Sequence, residues 1–125
     1  MSVRSLSSAL GLVLVSWGLL IVFNGITPIL GLGWTGALLV KCASIAVLGG
    51  GAGFVVQIWA SRDEASAPGV AQYVAVAPFV ALVHFANYIG GAPVVSLGVE
   101  MIVMGVGAVA LHVMLAASMA RRDPS

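Results

Sequence analysis

Charged residues are scarce in this chain of 125 residues. Five Lys and Arg and four Asp and Glu make up 7% of the sequence, whereas a soluble domain carries about 25%. The formal net charge of +1 is too small to attract a nucleic acid, so no nucleic-acid partner is expected. Hydrophobic residues account for 61% of the chain, and this composition excludes the solvated surface of an ordinary soluble protein.

Cysteine and the common catalytic motifs are nearly absent as well. Cys42 is the only cysteine, which excludes an internal disulfide and any metal site built from several thiolates. The sequence contains no H-E-x-x-H, C-x-x-C, G-x-S-x-G or P-loop pattern. We therefore predict neither a metal nor a cofactor.

Four long apolar runs dominate what the sequence does contain. They cover about residues 6–26, 35–60, 70–89 and 93–119, and each has the roughly 20 residues that a membrane-spanning helix needs. Lipid-exposed chains span a bilayer only as helices or closed barrels, and these runs are too long for barrel strands. The sequence predicts one all-α domain, an integral membrane four-helix bundle surrounded by the lipid bilayer.

The arginines predict how this bundle is oriented. With four spans they all fall on one side, and the connections 27–34 and 90–92 contain no charge. Basic residues flank the cytoplasmic side of membrane helices, so we expect an inner-membrane protein with both termini cytoplasmic and two helical hairpins that turn outward. The flanking arginines are Arg4, Arg62, Arg121 and Arg122.

Polar residues from all four predicted helices fall at one level of the membrane. Lys41 and Glu100 each lie seven residues inside an outer helix end, which is about 10 Å. His84 lies about 7 Å below the outer end of its helix. Ionisable residues inside a membrane are costly and usually functional, so this layer is the candidate site. Its other members are Asn24, Asn87 and Tyr88, and Trp17 is expected to pack or to line a cavity.

Two functions are compatible with this layer. In the first, an outward-facing pocket binds an apolar small molecule and rearranges it by acid–base chemistry, as an isomerase does. Its catalytic candidates are Glu100, His84 and Lys41, and its ligand contacts are Asn24, Asn87, Tyr88 and Trp17. In the second, Lys41 and Glu100 form a structural ion pair in a non-enzymatic subunit or small transporter.

Glycine spacing adds one expectation about packing. Gly11, Gly18 and Gly25 recur every seven residues along the first helix. Small residues in a row allow membrane helices to approach closely, so we predict a packing seam here. Such glycine-rich faces would also suit a homo-oligomer.

The segment from His84 to Glu100, HFANYIGGAPVVSLGVE, resembles a pattern seen in a family. Together with the two-hairpin organisation, it is similar to small uncharacterised bacterial four-helix membrane proteins grouped near the DoxX-like proteins. The resemblance implies the four-helix fold and no particular activity. Small multidrug transporters match in length and helix number, but their glutamate lies in the first helix, where this chain has none.

Overall fold

The part of the chain that the structure describes forms four α-helices. The computed structural model describes residues 3–63 and 73–122, and no strand occurs in these two ranges. The all-α, four-helix prediction is therefore confirmed. The helices are α1 (Val3–Ile26), α2 (Trp34–Asp63), α3 (Val76–Tyr88) and α4 (Leu97–Arg122), with a short 3-10 helix (Thr27–Leu30) between α1 and α2.

Three of these helices are long and apolar enough to cross a membrane, which suggests a membrane protein. The apolar stretches are Leu6–Leu30, Trp34–Trp59 and Leu97–Ser118. Their outward faces carry large apolar side chains that are more than half exposed, among them Leu14, Val47 and Ile102. Such a surface is unfavourable in water and is what a lipid-facing protein presents.

The third helix is shorter than the predicted run of residues 70–89. Helix α3 has 13 residues, which is about 20 Å and less than the roughly 30 Å hydrocarbon core of a bilayer. Tyr73 and Val74 are helical, and a turn at Ala75 separates them from α3. Pro78 explains the interruption, because a proline ring clashes with the carbonyl four residues earlier, here that of Val74. Residues 70–72 lie outside the described ranges.

The fourth helix begins four residues later than the predicted position 93. Ser96 precedes it, and the Ser96 hydroxyl accepts a hydrogen bond from the Val99 amide at 3.3 Å, as an N-cap residue does. Glu100 therefore lies in the first turn of α4 rather than two turns inside a helix. This corrects its expected depth within the helix.

The four helices surround one apolar core. Helices α1 and α3 each pack against the three other helices, whereas α2 and α4 lie diagonally opposite with at most marginal contact. Leu12, Ile45, Val80 and Met104 bring one core residue from each helix. Any pair of side chains on α2 and α4 must therefore meet across the interior of the bundle.

Close helix packing occurs at α2 and not at the predicted seam on α1. A Cβ added at Gly53 would lie 2.5 Å from the Tyr73 carbonyl oxygen, so α2 and the chain before α3 approach at backbone distance. At Gly11, Gly18 and Gly25 an added Cβ would meet nothing within 4 Å. The expected α1 seam is therefore not used among the described residues, because a Cβ at these glycines would point into open space.

Candidate functional site

A cavity of about 520 Å³ lies at the end of the bundle where the two uncharged connections are. Residues from all four helices and from the first connection line it. Apolar side chains from several elements form much of its lining and can cover the body of a small molecule. Its main apolar residues are Trp17, Leu20, Ile21, Leu32, Leu38 and Leu97.

Glu100 is the most enclosed polar residue of the cavity. Its side chain projects from the first turn of α4 and is only 1% exposed. Oε1 accepts a hydrogen bond from Asn87 Nδ2 at 2.8 Å. His84 Nδ1 lies 3.2 Å from Oε1 and 3.3 Å from Oε2. Two side chains of α3 therefore hold the carboxylate, and the N-terminal end of a helix is itself favourable for negative charge.

Asn87 owes its orientation to the connection before α4. The Val95 amide donates to Asn87 Oδ1 at 2.9 Å, and Asn87 Nδ2 donates to the Val95 carbonyl at 3.3 Å and to Glu100. A backbone amide is only a donor, so the atom facing it must be the amide oxygen of Asn87. The Val94 amide also donates to the Asn87 carbonyl at 3.0 Å. The backbone thus fixes which Asn87 atom meets Glu100.

His84 connects the carboxylate to the aromatic part of the site. A carboxylate only accepts hydrogen bonds, so we assign the ring proton to Nδ1 and the lone pair to Nε2. Nε2 is buried and has no hydrogen-bond partner among residues 3–63 and 73–122. A buried lone pair without a partner is easier to tolerate than a buried N–H, which agrees with this assignment. The His84 ring packs 4.6 Å from the ring of Tyr88.

Lys41 projects into the cavity from the opposite side, on α2. Its side chain is half-buried, and Nζ donates to Asn24 Oδ1 on α1 at 3.3 Å. Nζ also lies 5.9 Å from the centre of the Tyr88 ring, within range of a cation–π interaction. An ammonium has three donors, and only one of them has a hydrogen-bond acceptor within the described ranges.

The ion pair between Lys41 and Glu100, on which the second of the two functions depends, is not formed. Glu100 bonds to His84 and Asn87 of α3, and Lys41 bonds to Asn24 of α1. The two charged residues project from the diagonal helices α2 and α4, and both line the cavity. The cavity between them therefore takes the place of direct contact.

The structure brings the residues predicted from sequence to one place. Six of the seven line the cavity, and Asn87 lies behind Glu100 and supports it. Trp34, the first residue of α2, is not among the site residues predicted from sequence. Its indole Nε1 donates to the Tyr88 carbonyl at 2.8 Å, and it lines the cavity. The six residues are Trp17, Asn24, Lys41, His84, Tyr88 and Glu100.

The remaining histidine belongs to another part of the bundle. His112 is fully buried, and its ring packs 5.1 Å from that of Tyr73. Neither residue lines the cavity. Within the described part of the chain, no three His, Cys, Asp or Glu side chains are grouped as metal ligands.

No family model, curated protein or solved structure matches this chain. The resemblance to DoxX-like proteins therefore stays a prediction from sequence.

Proposed function

We propose that this chain is a multi-pass protein of the inner (cytoplasmic) membrane, with both termini in the cytoplasm and the cavity open toward the outer half of the bilayer. Three spanning-length apolar helices and an apolar outer surface support the membrane location. The arginines near the start of α1 and the ends of α2 and α4 lie away from the uncharged connections that border the cavity. The positive-inside rule then supports this orientation.

In this proposal the cavity binds an apolar small molecule with one polar group. The observation that carries it is the convergence of four helices on a single cavity that is lined by both apolar and polar side chains. Polar groups that fix orientation within a largely apolar pocket are typical of small-molecule sites. If the polar side chains served stability alone, we would expect them to pack against one another and leave no cavity.

The chemistry we propose for this site is isomerisation by proton transfer. With its proton on Nδ1, His84 is held by Glu100, as the histidine of a catalytic triad is held by its carboxylate. The base in this proposal is Nε2 of His84, which is buried in the free protein and has to be uncovered when the ligand enters. It removes a proton from a ligand carbon, the electron pair shifts the double bond, and the same proton returns at a different carbon. No co-reactant is needed. Lys41 stabilises negative charge that develops on the ligand.

Ligand binding is tested by tryptophan quenching in nanodiscs. Trp17 and Trp34 line the cavity, so a Trp59→Phe background leaves two reporters there. A chain-brominated amphiphile that enters the cavity should quench Trp17. A control with Trp17→Phe and Trp34→Phe, which keeps Trp59 alone, measures the quenching by probe dissolved in the bilayer, because Trp59 is 47% exposed and does not line the cavity.

A matched pair of variants on α2 separates the cavity from the lipid surface. Ala37→Phe should fill the cavity and abolish Trp17 quenching, because Ala37 lines it. Val47→Phe, on a residue that is 73% exposed, should leave quenching unchanged. Equal quenching in the two variants would overturn the binding proposal.

A second candidate, a subunit of a homo-oligomer, is favoured by one observation. The row Gly11, Gly18 and Gly25 makes no close packing within the chain, and rows of small residues suit contacts between membrane helices. If this row is an interface, Gly18→Leu should lower the particle mass in detergent without unfolding the protein. Unchanged mass would remove this candidate.

A further inference from the structure

We infer that the cavity's ligand carries an anionic oxygen head group, such as a carboxylate, and that Lys41 binds it. This inference rests on the proposed function of the cavity and adds the chemical class of the ligand. It starts from the two opposite charges that line the cavity, Lys41 and Glu100. A charged ligand can contact only the one of these two side chains that is accessible.

Glu100 is closed to a ligand. Its side chain is 1% exposed, Oε1 accepts from Asn87, and both oxygens face Nδ1 of His84. A cationic ligand would have to displace His84 or Asn87 before it could contact the carboxylate. Because Asn87 is in turn fixed by Val95, that displacement would also disturb the connection before α4.

Lys41 is open to a ligand. Its side chain is half-buried, its single hydrogen bond goes to the neutral amide oxygen of Asn24, and that bond is long at 3.3 Å. No carboxylate of the described residues forms an ion pair with it. An ammonium in a cavity of low dielectric is costly unless an anion or further hydrogen bonds compensate it. Two unused N–H groups can supply those bonds to a carboxylate.

The surroundings of the cavity favour the same assignment. The connections 27–33 and 89–96 contain no charged residue, so Lys41 is the only cation near this end of the described chain. The apolar side chains Trp17, Leu20 and Leu38 line the same cavity and can cover a hydrocarbon body. The matching ligand is an amphiphile with one anionic end.

Paired probes with the same tail test this inference. The Trp59→Phe protein in nanodiscs of zwitterionic lipid is titrated with chain-brominated stearate and with the matched brominated stearyl alcohol. We expect the carboxylate to bind at least ten-fold more tightly than the alcohol. Lys41→Met should abolish this preference, and Lys41→Arg should keep most of it, because both variants keep a long side chain but only arginine keeps the charge.

The outcomes separate this inference from the proposed function. If carboxylate and alcohol bind equally, or if Lys41→Met weakens both equally, the anionic head group is wrong and the apolar pocket stands. If neither probe quenches Trp17, the binding proposal fails and the inference fails with it. Circular dichroism and thermal melting of Lys41→Met check that the variant is folded.

A second titration identifies the source of the anion. Nanodiscs containing an anionic phospholipid are titrated with the same carboxylate. If the phospholipid competes in the wild type and not in Lys41→Met, its phosphate is a ligand of the site. If it does not compete, the site accepts free carboxylates, and the charge preference supports the inference in either case.

Discussion

The two polar walls of the cavity are built differently. On the α3–α4 wall, Glu100 is held by Asn87 and His84, and Asn87 is itself anchored to the backbone of Val95. On the α1–α2 wall, Lys41 has one long hydrogen bond to Asn24 and the face of Tyr88. The α3–α4 wall is called the closed wall, because its hydrogen bonds enclose Glu100. The α1–α2 wall is called the open wall, because two N–H donors of Lys41 have no acceptor among the described residues.

This difference indicates which residues stabilise the fold and which are available to bind a ligand. A buried carboxylate with several donors contributes to a unique packing of its helices, and breaking its network is expensive. A half-buried ammonium with one neutral acceptor contributes little to stability. Changes on the α3–α4 wall should therefore destabilise the fold, and changes on the α1–α2 wall should affect the ligand instead.

The largest effect is expected from the asparagine of the closed wall. Asn87→Leu removes a donor from Glu100 and both bonds to Val95, so it should lower the free energy of unfolding by about 3 kcal/mol. The matched change on the open wall, Asn24→Leu, should cost less than about 1 kcal/mol. Equilibrium unfolding in detergent mixtures measures both. Equal losses would mean that the two walls do not differ.

A smaller effect is expected from the histidine. His84→Phe keeps a ring beside Tyr88 but removes the donor to Glu100, and a hydrogen bond to a charged group contributes about 1.5–3 kcal/mol. We expect a loss within that range, and His84→Gln, which retains a donor, should recover part of it. If His84→Phe left the free energy of unfolding unchanged, Asn87 alone would satisfy the hydrogen bonding of the Glu100 carboxylate.

The smallest effect on stability is expected at Lys41. Lys41→Met removes one long hydrogen bond and a partly solvated charge, so the free energy of unfolding should change by about 1 kcal/mol or less. The same unfolding measurement applies, with Lys41→Arg as the charge-retaining control. A loss near that of Asn87→Leu would reveal a strong buried partner for Lys41.

Much of the fold follows from the sequence, because apolar run length determines where helices can span a membrane. Counting residues from the helix ends also predicts that Lys41 and His84 lie at one level, and both line the cavity. Glu100 lines it as well, although its depth is counted from the wrong helix start. The start of α4 was misplaced because residues 93–95 continue the apolar pattern. Ser96, a residue type common before helices, is the signal that marks the true start.

The partners of the charged residues could not be predicted from depth alone. Depth gives a level in the bundle, whereas pairing depends on which helices are neighbours and on side-chain direction. Lys41 and Glu100 have opposite charges at one level, but α2 and α4 are diagonal helices. The role of Asn87 depends on a turn that brings Val95 back to it, which no periodicity encodes.

Two double-mutant cycles that share Glu100→Gln test the central claim most directly. One pairs it with His84→Phe and the other with Lys41→Met, and each coupling energy is read from equilibrium unfolding. We predict a coupling of about 1 kcal/mol or more with His84, and a coupling below about 0.5 kcal/mol with Lys41. A larger coupling energy with Lys41 than with His84 would contradict the claim that Glu100 is held by the α3–α4 wall and not by Lys41.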